Sequence, residues 1–236
     1  MANLISITLD DKKLDVEPGQ TVLEVARKAG VDIPVLCQLD GLSTWGACRL
    51  CLVEVEGSPR LFPACTTPVA DKQVIRTHSE KLAKYRRMTV ELLFAERNHI
   101  CSVCVANNRC ELQNLGYRMG MDHVRFPYLT PECNVDASHK DFVIDHNRCV
   151  MCTRCVRTCD EVEGAHNWDV MGRGHNSRIV SDLFQPWGES TTCTSCGKCV
   201  DACPVGAIWR KDAGQSQLAK RPGMISELVA KRKVKS

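Results

Sequence analysis

Two short runs constrain this chain more than any other feature. "CVMCTRCVRTCD" begins at Cys149 and "CTSCGKCVDACP" begins at Cys193, and each sets four cysteines at the spacing C-x2-C-x2-C-x3-C. Four thiols so close together read as ligands rather than as one face of a helix or strand. The sequence holds 16 cysteines among 236 residues, and only 5% aromatic residues. Hydrophobic and charged contents, 44% and 25%, are ordinary for a globular protein. The length admits one large domain or two to three small ones. Inorganic centres are the expected source of cohesion in domains this poor in aromatic core.

The first residues, "MANLISITLDDKK", lack the basic region and apolar stretch of a signal peptide. No run of about 18 apolar residues marks a membrane span. A cytoplasmic location is therefore expected, where thiols stay reduced. The tight CxxC steps suit shared metal better than distant cross-links, which sets a disulfide framework aside. The net charge of +3 is uneven: from Trp209 to Ser236, eight Lys/Arg less two Asp/Glu give +6, leaving −3 elsewhere. A basic stretch this short reads as a solvated, partly mobile terminus rather than a nucleic-acid surface.

The order of elements predicts an α+β protein of three cysteine-bearing modules and a tail. Ile5, Ile7 and Leu9 alternate with polar residues, "DDKK" turns, and Leu14 and Val16 complete a hairpin. Thr21 and Glu24 form a capping box before a helix that Gly30 and Pro34 end. "CLVEVEG" and "KQVIRTH" read as two further strands, closing a domain over residues 1–78. Thr77 and Glu80 offer a second capping box, and Leu82, Tyr85, Met88, Leu92 and Leu93 follow helical spacing to about Arg97. "CELQNLGYRMG" reads as a shorter helix and 121–140 as an irregular linker, so the second domain covers 79–140. Residues 141–212 hold both runs as an internal repeat, separated by a hairpin around Gly172 and Gly174, and 213–236 form the basic tail. Those two glycines also fit a loose GxGxxS pattern, but no strand–helix unit surrounds them, so they read as turn residues and not as a dinucleotide loop.

The first ligand group is Cys37, Cys48, Cys51 and Cys65, at C-x10-C-x2-C-x13-C on loops. Thiolates suit iron–sulfur clusters and zinc alike. Zinc normally pairs two CxxC knuckles. One CxxC with a single remote cysteine on either side is closer to a [2Fe–2S] ferredoxin loop. Gly46, in "TWGACRLC", lets that loop pass close to the sulfides. The second group, "NHICSVCVANNRCELQ", supplies only Cys101, Cys104 and Cys110. His99 and Cys133 are the candidates for a fourth ligand, and the proximity of His99 favours a [4Fe–4S] cluster with one imidazole. Cys133 then reads as a plain buried residue. The two long runs carry the two-cluster ferredoxin signature, in which three cysteines wrap one cubane and the fourth reaches the other. Cluster A is then expected on Cys149, Cys152, Cys155 and Cys203, and cluster B on Cys193, Cys196, Cys199 and Cys159. In total the sequence calls for one [2Fe–2S] and three [4Fe–4S] clusters. It shows no dinucleotide fingerprint, no nucleophile–base constellation and no catalytic residue of its own.

The order of these motifs resembles the N-terminal iron–sulfur region of the large peripheral subunit of respiratory complex I, and the same region of [FeFe] hydrogenases, over residues 1 to about 210. The resemblance implies a ubiquitin-like (β-grasp) [2Fe–2S] domain, a small helical His/Cys domain and a two-cluster ferredoxin-like domain. The relatives place their histidine at HxxxC spacing; here Arg97 holds that position and the histidine stands at HxC. The chain also stops after the ferredoxin module, without room for molybdopterin-type domains and without cysteines for a catalytic hydrogen cluster. A short chain with "ERNHICSVC" and both complete runs is identified as a member of the diaphorase iron–sulfur subunits (HoxU type) of bidirectional NAD-linked [NiFe] hydrogenases. Membership implies a subunit of a hydrogen:NAD+ oxidoreductase (H2 + NAD+ = NADH + H+) that carries single electrons. The implied partners are a flavin subunit holding FMN and NAD, the small [NiFe] hydrogenase subunit and through it the large one, and a further [2Fe–2S] subunit. It also implies that the [2Fe–2S] domain faces the flavin subunit and cluster B the hydrogenase. The rival readings are the iron–sulfur subunit of an NAD-linked formate dehydrogenase or complex I-like enzyme, and a multi-zinc nucleic-acid-binding module.

Overall fold

A computed structural model describes residues 4–212, 214 and 220–233. The chain divides into two compact units, one of residues 1–38 and 44–90 and the other of 39–43 and 91–236.

The first unit is built on a five-stranded sheet. Strands β1 (Ile5–Leu9) and β2 (Lys12–Val16) form the predicted hairpin, pairing from Ile5↔Val16 to Leu9↔Lys12. Helix α1 (Val22–Lys28) follows, with both bonds of the Thr21–Glu24 capping box present. Its Val22, Leu23, Val25 and Ala26 enter a core with Ile7, Leu9, Val53 and Ile75. Gly30 at φ +74° supplies the left-handed turn after the helix. Strands β3 (Leu52–Val55), β4 (Leu61–Pro63) and β5 (Val74–Arg76) complete the sheet in the order β2-β1-β5-β3-β4. β1 and β5 run parallel; the other pairs are antiparallel. The short β4 has no alternating pattern and was not foreseen.

Helix α2 (Glu80–Ala95) corrects a second expectation. Its N-terminal cap is Ser79, whose Oγ accepts the Leu82 N–H at 3.1 Å. Thr77 is committed elsewhere, its N–H and hydroxyl both donating to the Asp10 carboxylate. The buried stripe is Leu82, Arg86 and Val90, while Tyr85 and Leu92 are exposed. Arg86 is tolerated inside because its Nη2 donates to the Leu52 and Thr77 carbonyls at 2.8 and 2.9 Å.

In the second unit, helix α3 (Glu111–Arg118) turns Leu112 and Leu115 inward. β6 (Val135–Asp136) is a short strand inside the stretch expected to be irregular. It pairs with β7 (Phe142–Asp145), which leads into the first cysteine run and its short helix α4 (Arg154–Arg157). β8 (Trp168–Met171) and β9 (Arg178–Ser181) form the hairpin between the runs. Helix α5 (Lys198–Ala202) lies in the second run, and β10 (Ile208–Arg210) leaves it. β10 pairs antiparallel with β7, from Ile208↔Ile144 to Arg210↔Phe142. The strand entering the first run therefore lies beside the strand leaving the second, and α4 packs against α5. This pairing brings the two runs face to face.

The basic tail is not simply a solvated end. Helix α6 (Pro222–Lys233) buries Ile225 against Leu39, Leu42, Val162 and Ala202. The rest of the expected tail, 213, 215–219 and 234–236, lies outside the described residues. Among the described residues no helix is long and apolar enough to cross a membrane.

Candidate metal centres

In the first unit Cys37, Cys48, Cys51 and Cys65 are all buried. Cys51 ends the loop into β3 and Cys65 follows β4; the Ala64 N–H donates to the Cys51 carbonyl at 2.9 Å and holds these two segments together. The Cys37 N–H lies 3.4 Å from the Cys48 sulfur. The Cys48 and Cys51 thiols are pushed far up, first by the hydrogen bonds shared with Cys37 and Cys65 and then by burial. Thiolates gathered this closely in an apolar core repel one another, and an iron core is a cation able to balance their charge. Gly46 adopts φ +68°, and a Cβ there would stand 3.2 Å from Thr66, so the tight neighbour found at this glycine is Thr66.

The second group lies just past α2. Two tight turns, His99 N–H to Arg97 carbonyl at 3.0 Å and Ile100 N–H to Asn98 carbonyl at 3.1 Å, swing His99 back against Phe94. His99, Cys101, Cys104 and Cys110 line one small cavity, with Leu112 and Val205. The His99 ring hydrogen-bonds the Leu93 backbone, and its Nε2 is buried with no hydrogen-bond partner. Burial, then the charges of Arg148 and Arg97, lower the imidazole to about 4. A neutral ring with one nitrogen tied to a carbonyl and the other buried without a partner, in a cavity shared with three thiols, has the chemistry of a metal ligand. Burial also pushes the Cys110 thiol up to about 11. Gly206 closes the cavity: a Cβ there would sit 2.4 Å from the Cys104 sulfur.

Arg97, two residues before His99, does a different job. Its guanidinium donates to the His175 and Ser177 carbonyls at 2.9 and 2.6 Å. Cys133, the rival fourth ligand, is half-buried and lines a separate open cavity of about 800 Å³ beside Cys149.

The two runs share one backbone design. Met151 and Thr153 in the first, and Ser195 and Gly197 in the second, all adopt positive φ, from +49° to +69°. These are equivalent positions, on either side of each run's second cysteine. The alternation turns backbone N–H groups inward, an arrangement that favours anionic sulfur. The Met151 and Arg154 N–H groups reach the Cys149 and Cys152 sulfurs, whose thiols burial pushes up to about 12.

The fourth cysteine of each run crosses over. Cys149, Cys152, Cys155 and Cys203 line one cavity with Ile144, Val150, Ile179 and Val205. Cys159, Cys193, Cys196 and Cys199 line another with Trp168 and Trp187. The crossover has a local cause. After α4 the chain widens into a π-helical turn, Thr158–Glu163, where the Cys159 carbonyl accepts from the Gly164 and Ala165 N–H groups at 2.8 and 3.1 Å. Such widened turns re-aim a side chain and are frequent at functional sites. In the second run Cys203 follows α5, and Pro204 offers its carbonyl to the Glu111 N–H at 2.9 Å. Glu111 in turn grips the buried Arg154 of the first run at 2.7 Å. Asp160, in place of the second run's proline, pairs with His166. Among the described residues no three His, Cys, Asp or Glu converge on a single-ion point. The donors instead line three small cavities of about 20 Å³ each.

Comparison with known proteins gives these sites a family. Residues 2–80 match a 2Fe-2S iron-sulfur cluster binding domain. Residues 86–125 match the NADH-ubiquinone oxidoreductase-G iron-sulfur binding region, and 142–209 the ferredoxin-like domain of NADH-quinone oxidoreductase subunit 3. The mitochondrial NADH-ubiquinone oxidoreductase 78 kDa subunit of Candida albicans is 34% identical over 88% of this chain, but this chain spans only 28% of that protein. The NADP-reducing hydrogenase subunit HndD of Solidesulfovibrio fructosivorans is 36% identical over 87% of this chain, with 36% of its own length spanned. The gamma subunit of the NAD-reducing hydrogenase HoxS of Cupriavidus necator is 36% identical over 89% of this chain and 88% of its own. A chain in the crystal structure of an NAD+-reducing [NiFe]-hydrogenase in the H2-reduced state superposes with a TM-score of 0.84 at 35% identity, covering 95% of this chain and 98% of that one. The chain belongs to the family of iron–sulfur subunits represented by the gamma subunit of NAD-reducing hydrogenase.

Proposed function

We propose that this chain is the electron-transfer subunit of an NAD-reducing hydrogenase, relaying single electrons between a flavin diaphorase subunit and a [NiFe] hydrogenase module. The observation that carries this reading is near-complete two-way coverage with the HoxS gamma subunit, at 89% and 88%. The longer relatives share the same region in only 28% and 36% of their length. A complex I-like enzyme is the second reading, favoured by the match to the 78 kDa subunit of NADH-ubiquinone oxidoreductase.

The five-strand order with parallel β1 and β5 supports a β-grasp fold for the first domain, with domains over 1–78, 79–140 and 141–212 and a tail from 213. Its [2Fe–2S] ligands are Cys37, Cys48, Cys51 and Cys65. His99, Cys101, Cys104 and Cys110 hold one [4Fe–4S] cluster, Cys149, Cys152, Cys155 and Cys203 hold cluster A, and Cys193, Cys196, Cys199 and Cys159 hold cluster B. Bound there, such clusters accept and release single electrons. The chain's residues fix their spacing, keep water away with walls such as Ile144, Ile179 and Val205, and turn N–H groups toward the sulfurs. NAD and FMN belong on a partner subunit, the [2Fe–2S] domain faces that subunit, cluster B faces the small hydrogenase subunit, and the complex works in the cytoplasm. The test is anaerobic purification of the native complex and identification of its subunits. Co-purifying flavin and [NiFe] subunits support the reading; a formate dehydrogenase or quinone-linked partner set overturns it.

A further inference from the structure

The two tryptophans in the cavity of Cys159, Cys193, Cys196 and Cys199 have chemistry that the ligand sets do not explain. Trp187 is 1% exposed. Its ring meets Trp168 edge-on at 4.6 Å between centroids and stacks on Phe142 at 5.3 Å. A buried indole needs a partner for its N–H. Trp187 Nε1–H donates to the Cys193 sulfur at 3.2 Å. The Trp168 side chain hydrogen-bonds Cys199. The backbone N–H of Asn167, next to Trp168, lies 3.4 Å from the Cys159 sulfur. Both tryptophans and all four cysteines line the same cavity.

The pseudo-equivalent cavity of Cys149, Cys152, Cys155 and Cys203 has aliphatic walls, Ile144, Val150, Ile179, Val205, Ala207 and Ile208. The two halves of the repeat thus have the same ligand type and the same loop conformation, but one surrounds its sulfurs with indole donors. Reduction adds negative charge that spreads over the sulfurs. An N–H dipole aimed at a sulfur stabilises the reduced form more than the oxidised one, and the potential rises. An indole donor does not ionise near neutral pH. Packed between Phe142 and Trp168, the Trp187 donor is also held in a fixed direction.

We propose that Trp187, assisted by Trp168, is a positioning residue that sets the reduction potential of cluster B, raising it above the value its four thiolates alone would give. This rests on the assignment of Cys159, Cys193, Cys196 and Cys199 to one [4Fe–4S] cluster.

The experiment is a potentiometric titration followed by paramagnetic resonance on the anaerobically purified complex, with cluster A as internal reference. Two variants are used: Trp187→Phe, and replacement of Trp187 by 3-benzothienylalanine, which keeps the fused ring and removes only the N–H. Loss of this donor is expected to lower the equilibrium constant for cluster B reduction about tenfold, about 59 mV for one electron, and to leave cluster A unmoved. Adding Trp168→Phe enlarges the shift. An intact cluster B signal at an unchanged potential in the benzothienylalanine protein overturns the proposal, as does an equal movement of A and B. Absence of a cluster B signal from the unsubstituted complex instead overturns the ligand assignment, so the two failures are distinguishable.

Discussion

Replacing Cys159 by alanine separates crossed ligation from two self-contained runs. Cys159 lies ten residues after Cys149 in sequence, yet its side chain lines the cavity of Cys193, Cys196 and Cys199. The π-helical turn that aims it is held by backbone bonds from Gly164 and Ala165 to its carbonyl, which alanine retains. Removing one half-buried sulfur forfeits about 1 kcal/mol of burial, too little to unfold a domain. The loss is therefore in metal. With four clusters the chain holds about 14 iron atoms, and the variant keeps about 13 if a three-iron cluster forms, or about 10 if cluster B empties. Anaerobic iron and sulfide analysis with paramagnetic resonance reads both outcomes. Cluster A, with Cys203 as its fourth ligand, keeps its signal, and Cys203→Ala gives the reciprocal pattern. Damage by Cys159→Ala confined to cluster A refutes the crossed assignment.

His99→Ala is expected to alter one [4Fe–4S] signal and spare the [2Fe–2S] signal, whereas Cys133→Ser leaves all four signals in place; the reverse pattern in resonance spectra would transfer the ligand role to Cys133. Gly206→Ala drives a Cβ to 2.4 Å from the Cys104 sulfur, an overpacking cost of about 1–3 kcal/mol, and is expected to deplete the His99 cluster selectively, read as lost iron and a lower Tm. Glu111→Gln leaves Arg154, with only 3% of its side chain exposed, facing a neutral partner. Loss of a buried partner costs about 3–5 kcal/mol, and the partly exposed Glu111 places the expected loss at the lower end, measurable by denaturant titration.

Features that depend on neighbours in sequence were legible, and features set by distant partners were not. The Thr21–Glu24 box, the β1–β2 and β8–β9 hairpins and the turn at Gly30 are local, and residue order alone announces them. Thr77 and Glu80 showed the same local pattern, but the distant carboxylate of Asp10 claims Thr77 and Ser79 caps the helix instead. The inward face of α2 misled for a related reason. Apolar spacing pointed to Tyr85 and Leu92, whereas Arg86 and Glu91 are buried with partners at Leu52, Thr77 and Arg125, and such polar satisfaction leaves no periodic trace. Lysines and arginines around Ile225 likewise concealed the apolar anchor of α6. At the centres, cysteine spacing announced every group that the structure gathers. It could not announce Trp168, Trp187 or Gly206: β8 carries Trp168, the turn that carries Trp187 is held by the distant Asp136 carboxylate, and Gly206 meets Cys104 from the loop before β10.

The measurement that tests the relay most directly compares three activities of the whole complex, with Cys159 and with Cys159→Ala preparations whose iron content shows cluster B to be lost. These are hydrogen-driven NAD+ reduction, NADH oxidation with an artificial acceptor, and hydrogen oxidation with an artificial acceptor. The account predicts that the first falls to background while both half-reactions persist, because each partner subunit keeps its own chemistry and only the connection between them is broken. Unchanged hydrogen-driven NAD+ reduction in a complex shown by iron analysis to lack cluster B would contradict it.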